Sequence, residues 1–171
     1  MRSITSFPPR TILVPLDVTE SSLAGLEAAR LLGERWRSRV ELVHVDQGPP
    51  PAYAQGFDMW TYEALGTMSR DLQRWLAEAA SSIPRSTTHV LTGAPETIMA
   101  RLAADAAADL VVLAPRRRRT LPRFISGSLA ETLVHAANTP VLTVRTKPAA
   151  YWPRRIMAPV KWASYADRAL L

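Results

Sequence analysis

Short apolar runs alternate with longer stretches of helical periodicity along this chain, and that alternation restricts the fold more than any other feature. Residues 11–16 (Thr-Ile-Leu-Val-Pro-Leu) form the first run and end at Asp17. Asp17, Thr19, Ser21 and Ser22 then offer helix-capping side chains. Ala24, Ala28, Leu31 and Leu32 share one face of a helix expected to end near Gly33. Residues 39–45 alternate charge with Val40, Leu42, Val43 and Val45 and predict a second strand, broken by Gly48 and three prolines. A helix over about 58–81 carries Tyr62, Leu65, Met68, Leu72, Trp75, Leu76 and Ala79 at helical spacing, and Pro84 stops it.

The pattern then repeats. Residues 87–92 predict a third strand, and Gly93-Ala94-Pro95-Glu96 turns into a helix with proline at its first position and an acid in its first turn. Ile98, Met99, Leu102 and Ala106 form its apolar side. Residues 109–113 are nearly all apolar, as for a strand covered on both faces. A helix over 127–137 follows, with Leu129, Leu133 and Val134 inward, and residues 140–145 predict the fifth strand. Parallel strands need crossovers, and helical crossovers cover the sheet. The expected fold class is α/β: a doubly wound, five-stranded parallel sheet with helices on both faces over residues 9–146, preceded by a tail over 1–8 and followed by an extension over 147–171.

Composition narrows the function. At 171 residues one domain is expected, and an apolar share of 47% is ordinary for a soluble chain. The absence of cysteine excludes disulfides and thiolate metal sites and fits a cytoplasmic location. No apolar run approaches the roughly 20 residues of a membrane helix, so no membrane partner is expected. The net charge of +6 is carried almost wholly by arginine, with lysine only at Lys147 and Lys161. Such a chain attracts polyanions in general. It has no zinc-finger or basic-zipper pattern and no aromatic RNA-binding strand, which argues against dedicated nucleic-acid binding.

The stretch 109–128 concentrates the chemistry. After the fourth strand comes a loop with Arg116, Arg117, Arg118, Arg119 and Arg123, then Gly127-Ser128 opening a helix. In an open parallel sheet a ligand binds beyond the carboxyl ends of the strands, where a helix begins. Backbone N–H groups there favour an anion, so an anionic small molecule is a candidate partner. The competing reading of the arginine run is a solvated loop.

Several segments in register resemble the universal stress protein family: Thr11-Ile-Leu-Val-Pro-Leu-Asp17 with Ser21-Ser22, Gly93-Ala-Pro-Glu-Thr-Ile98, Asp109-Leu-Val-Val-Leu113, Gly127-Ser128-Leu-Ala-Glu131 and Thr139-Pro-Val-Leu-Thr-Val-Arg145. The resemblance implies an adenine nucleotide alpha hydrolase-like fold and a regulatory or binding role in the stress response. It also implies a homodimer joined through strand 140–145. ATP-binding members carry Gly-x-x-Gly, nine residues, then Gly-Ser or Gly-Thr. Here Ala114 and Arg117 stand where the two glycines belong, and only Gly127-Ser128 is kept. By the same resemblance Asp17 and Val45 fall at the adenosine side, and Pro15 joins the nucleotide-contacting residues. The nucleotide-contacting set is thus Pro15, Asp17, Val45, Ala114, Arg117, Gly127 and Ser128, with ATP or another adenine nucleotide as the possible cofactor. The altered loop implies weak or no ATP binding in the family's pose. The alternative is a genuine ATP-binding member whose loop arginines replace the glycines.

No catalytic residues are assigned. Ser126 and Ser128 lie in no Gly-x-Ser-x-Gly elbow, and a hydrolase cleaving adenine nucleotides would want a second phosphate loop after the first strand. His44, His89 and His135 share no metal spacing and read as structural; no metal site is expected. Asp17 has a plain alternative as a cap for the first helix. In the tail, Ile156, Pro159 and Leu170 stand 144 positions after Ile12, Pro15 and Leu26. The extension therefore resembles the start of a second, truncated copy of the domain, expected either to add a strand to a sheet edge or to form a loose tail.

Overall fold

A strand covered on both faces must be apolar on both, and β1 (Thr11–Pro15) shows this: Ile12, Leu13 and Val14 are completely buried. The computed structural model describes residues 7–19, 22–48, 59–105, 108–114, 129, 133 and 139–145, with backbone alone over 59–67 and 104–105. The remaining elements are α1 (Ser22–Trp36), β2 (Arg39–Asp46), α2 (Met59–Ser81), β3 (Ser86–Thr92), α3 (Pro95–Asp105), β4 (Leu110–Leu113) and β5 (Val141–Thr143). The five strands form one parallel sheet in the order β3-β2-β1-β4-β5. This is the expected doubly wound arrangement. The chain extends in one direction from β1 to β3, then crosses back to add β4 and β5 beyond β1.

Alternating side chains feed two cores. Ile12 and Val14 of β1, Val40 and Leu42 of β2 and Val112 of β4 meet Ala28, Ala29 and Leu32 of α1 and Leu76 of α2. On the opposite face Leu13, Val43, Val111 and Leu113 meet Met99 and Ala103 of α3, with Leu133 and Leu129, which are both helical. Glycine and alanine at Ala24, Gly25, Ala28, Ala29 and Gly33 let α1 lie close to the sheet. Its outer face is charged: Arg30 reaches Glu27 at 2.7 Å and Glu34 at 2.6 Å. Hydrogen bonds to Glu27 and Glu34 raise the guanidinium pKa above its usual value.

Three local expectations need correction. Gly33 does not end α1, which runs on to Trp36. Gly33 is there for packing, since a Cβ on it would stand 2.9 Å from Val40 Cγ2. Arg37, with φ of +54°, takes the left-handed turn after the helix instead. Met68 is not part of the buried stripe of α2; it is 57% exposed, and the helix buries Leu76 with Leu72, Trp75 and Ala79 beside it. Asp109 lies outside β4. Its carboxylate turns back to accept the N–H groups of Arg10 at 2.8 Å and Thr11 at 3.0 Å, tying the start of β1 to the start of β4.

Candidate functional site

Sheet order fixes where a ligand can enter. The chain leaves β1 toward β2 on one side, and β4 is added on the other, so the connections after β1 and after β4 part at their carboxyl ends. One residue widens this gap. Leu16 N–H bonds to Val43 O at 2.8 Å, so Pro15, one position back in the pleat, faces β4. Proline has no N–H to give, and a ladder stops where the donor is missing. Accordingly β1 pairs with β4 only at Ile12 and Leu13, while its pairing with β2 runs through Pro15.

Asp17 lies at the mouth of this crevice. Its Oδ1 accepts the Thr19 N–H at 3.2 Å and the Thr19 hydroxyl, which closes the loop into α1. The buried Ser22 hydroxyl stands 2.6 Å from Asp17 O and 2.7 Å from Thr19 O, and its one proton serves either carbonyl. The loop is thereby held by its own side chains, with Asp17 half-buried at the opening. His44, one strand over, is engaged as well: its Nδ1 meets Leu16 O at 2.9 Å. A carbonyl only accepts, so Nδ1 carries the hydrogen and a neutral ring presents Nε2 as acceptor. His89 is exposed on β3. Val45 is half-buried near the end of β2 and packs on the α3-side core.

Across the gap, α1 approaches the end of β4 through Gly25. A Cβ there would lie 3.3 Å from Ala114 N and 3.5 Å from Ala114 Cβ. Ala114 is half-buried and is not left-handed; among the described non-glycine residues only Arg37 and Arg85 have positive φ. Alanine at the first position of the altered motif is therefore unstrained here, although a left-handed glycine at that place would have made it costly. Pro15, Asp17, Val45 and Ala114 all fall at the carboxyl ends of β1, β2 and β4. Arg117, Gly127 and Ser128, together with the run 116–119, Ser126, His135 and the extension over 147–171, lie outside the described residues. The helix expected over 127–137 is represented only by Leu129 and Leu133. Among the described residues no three His, Asp or Glu side chains gather as a metal site would need, and no helix is long and apolar enough to cross a membrane.

A doubly wound α/β domain opens at its β1/β4 switch point, where sheets of this class receive ligands. The chain is a member of the universal stress protein family: the family model matches residues 9–145. A Staphylococcus saprophyticus relative of the universal stress protein type is 26% identical over 141 residues, covering 81% of this chain and 84% of its own. Solved structures carry the same fold. The universal stress protein UspA of Lactobacillus plantarum superposes with a TM-score of 0.62 at 24% identity, over 79% of this chain and 97% of that one. A universal stress protein in complex with cAMP gives a TM-score of 0.58 at 21% identity, over 80% and 97%. The Archaeoglobus fulgidus protein in complex with dAMP gives 0.54 at 20%, over 79% and 97%.

Proposed function

We propose that this protein is a non-catalytic binding and regulatory module of the stress response, whose crevice takes the adenosine part of an adenine nucleotide and holds ATP weakly or not at all in the family's pose. The reading rests on one asymmetry. On the β1 and β2 side the crevice keeps Pro15, Asp17 and Val45, whereas on the β4 side Ala114 and Arg117 stand in place of glycines. A glycine that let phosphate lie against bare main chain has become a long cationic side chain, which blocks that approach. The cAMP and dAMP held by relatives of this fold carry a single phosphate and make the smaller demand on the loop. A homodimer through the β5 edge and a cytoplasmic location complete the proposal.

Calorimetry with adenosine, AMP and ATP tests it. ATP is expected to bind no more tightly than AMP, and Ala114→Gly with Arg117→Gly is expected to raise ATP affinity by about tenfold or more, equivalent to about 1.4 kcal/mol. Wild-type protein that binds ATP with a micromolar, salt-resistant constant, unaltered by those glycines, would overturn it. That outcome would favour the second reading, in which a loop arginine reaches a phosphate by a charge-assisted hydrogen bond. Release of AMP and pyrophosphate from ATP would instead mark a hydrolase.

A further inference from the structure

The sheet has a second charged end that the crevice does not use. At the amino ends of the strands Arg10 precedes β1, Arg39 opens β2 and Arg85 precedes β3, while Arg37 closes the turn from α1. Parallel pairing sets them side by side: Arg39 N–H bonds to Arg10 O at 2.8 Å and Val40 N–H bonds to Arg85 O at 3.1 Å. Together with Ser86 and Thr87 the four arginines line one open groove of about 470 Å³. All four are exposed, and among the described residues none of their guanidinium groups pairs with a carboxylate. Asp109, the carboxylate in the same row, is engaged by the Arg10 and Thr11 N–H groups.

From this groove we propose a second anion site, distinct from the adenosine crevice and at the opposite end of the sheet, that binds a short chain of linked phosphates. Like charges gathered in one groove repel, and an anion among them removes that repulsion. Guanidinium presents a planar fork of N–H donors that matches phosphate oxygens two at a time. Arg85 donates one N–H to Arg37 O at 3.1 Å, which fixes its side chain across the turn with its other donors remaining. Ser86 gives its hydroxyl to Ala80 O, leaving Thr87 as the neutral donor of the groove. Two of the arginines sit at φ of +54° and +62°, where glycine or asparagine is the easy choice. A strained arginine occurring twice at one groove points to a use for its charge. Four cations exceed what a single phosphate balances. Among the described residues the lining has no aromatic side chain on which a base would stack, which disfavours single-stranded nucleic acid. An acidic peptide would have to order several long side chains to reach the same four groups.

The test is titration of tripolyphosphate into the full chain by calorimetry at about 0.15 M salt, where exposed charges are screened beyond roughly 8 Å. Tripolyphosphate is expected to bind more tightly than orthophosphate, a short oligoglutamate peptide or oligothymidylate. Arg37→Gly with Arg85→Gly is expected to weaken it by about tenfold or more; glycine suits both backbone positions, so the variant keeps its fold. Arg10→Gln with Arg39→Gln, at exposed side chains, provides an independent second variant with the same expected loss. Adenosine, which has no phosphate, reports the crevice alone, and its affinity is expected to be the same in both variants. Absence of tripolyphosphate binding, equal affinity in both variants, or equal or tighter binding of orthophosphate, oligoglutamate or oligothymidylate would overturn the proposal.

Discussion

The two ends of the sheet are held together in different ways. At the amino end, side chains tie distant parts of the chain to one another: Asp109 to Arg10 and Thr11, Ser38 to Pro9 at 2.6 Å, Arg85 to Arg37. At the carboxyl end most such bonds stay within one loop, as with Asp17 and Thr19 after β1 or Asp46 and Gly48 after β2. Among the described residues His44 to Leu16 is the exception. By side-chain bonds the amino end is therefore stitched across strands, whereas the described loops after β1 and β2 are held largely by their own side chains. Loops of the second kind can differ from one family member to another without disturbing their neighbours, which suits the end that meets ligand. What the contrast does not account for is the positive charge collected at the stitched end, and that is the charge the oligophosphate groove would use.

Both ends hang on β1, so the largest loss should come from its centre. Ile12 is completely buried between Val40 and Leu110 in the ladder. Ile12→Ala is expected to cost about 2–5 kcal/mol in urea unfolding. The transition should remain single, with adenosine and tripolyphosphate binding lost together as the fold goes. Two separated transitions would show that the ends are independent units and would break the comparison at its root.

A smaller and one-sided effect is expected from Asp109→Ala. Thr11 is 5% exposed, so removal of the carboxylate leaves its N–H without a partner. The expected cost is about 1–3 kcal/mol by urea unfolding. Asp109→Asn, which keeps an acceptor oxygen, should recover part of it. Because the cross-tie lies at the amino end, the adenosine affinity of the folded variant is expected to match the wild type. A change there would mean that the stitching also shapes the crevice.

At the carboxyl end the matching lesion is Gly93→Ala. Gly93 links β3 to α3 at φ of +146° and gives its N–H to Asp46 O at 2.9 Å. A Cβ there would stand 3.4 Å from Ile98 Cδ1 and Cγ1. A side chain at this φ is expected to cost about 1 kcal/mol or more, read as a lower urea midpoint. A neutral result would mean that the turn can relax to an ordinary φ in spite of its tie to Asp46 O.

Much of this was legible in the chain because apolar runs and helical periodicity act locally. The succession of strands and helices and the proline at the start of α3 follow from neighbouring residues, whereas the β1/β4 switch point appears only with the order of strands in the sheet. Gly33 was misread because glycine ends helices and also permits close packing, and only the position of Val40 decides between them. Met68 keeps the helical period yet is exposed, and periodicity alone does not tell which turns of a long helix are covered. The four-arginine groove is invisible in sequence, since Arg10, Arg37, Arg39 and Arg85 are spread over three connections and meet only through parallel register. The contiguous run 116–119 draws the eye instead. At the crevice, Asp17 and Ala114 were placed by resemblance; the divergence of β1 from β4 at Pro15 could have been anticipated from a proline at the end of a central strand.

The smallest expected effect has the opposite sign. Left-handed backbone costs a residue with a Cβ about 1–2 kcal/mol, and Arg37 bears it at φ of +54° directly after α1. Glycine removes that strain but brings back about 0.5–1 kcal/mol of chain entropy. Arg37→Gly alone should therefore gain between about 0 and 1.5 kcal/mol in urea unfolding. Arg85→Gly should gain less, because its guanidinium also bonds to Arg37 O. Saturating tripolyphosphate is expected to reverse the order, since a ligand bound only to the folded state adds stability that grows with the logarithm of its affinity. Without the anion the glycine variant is the more stable, and with it the wild type is. If Arg37→Gly destabilises the protein in the absence of any anion, the arginine serves the turn itself, and the charge at the stitched end needs no ligand to account for it.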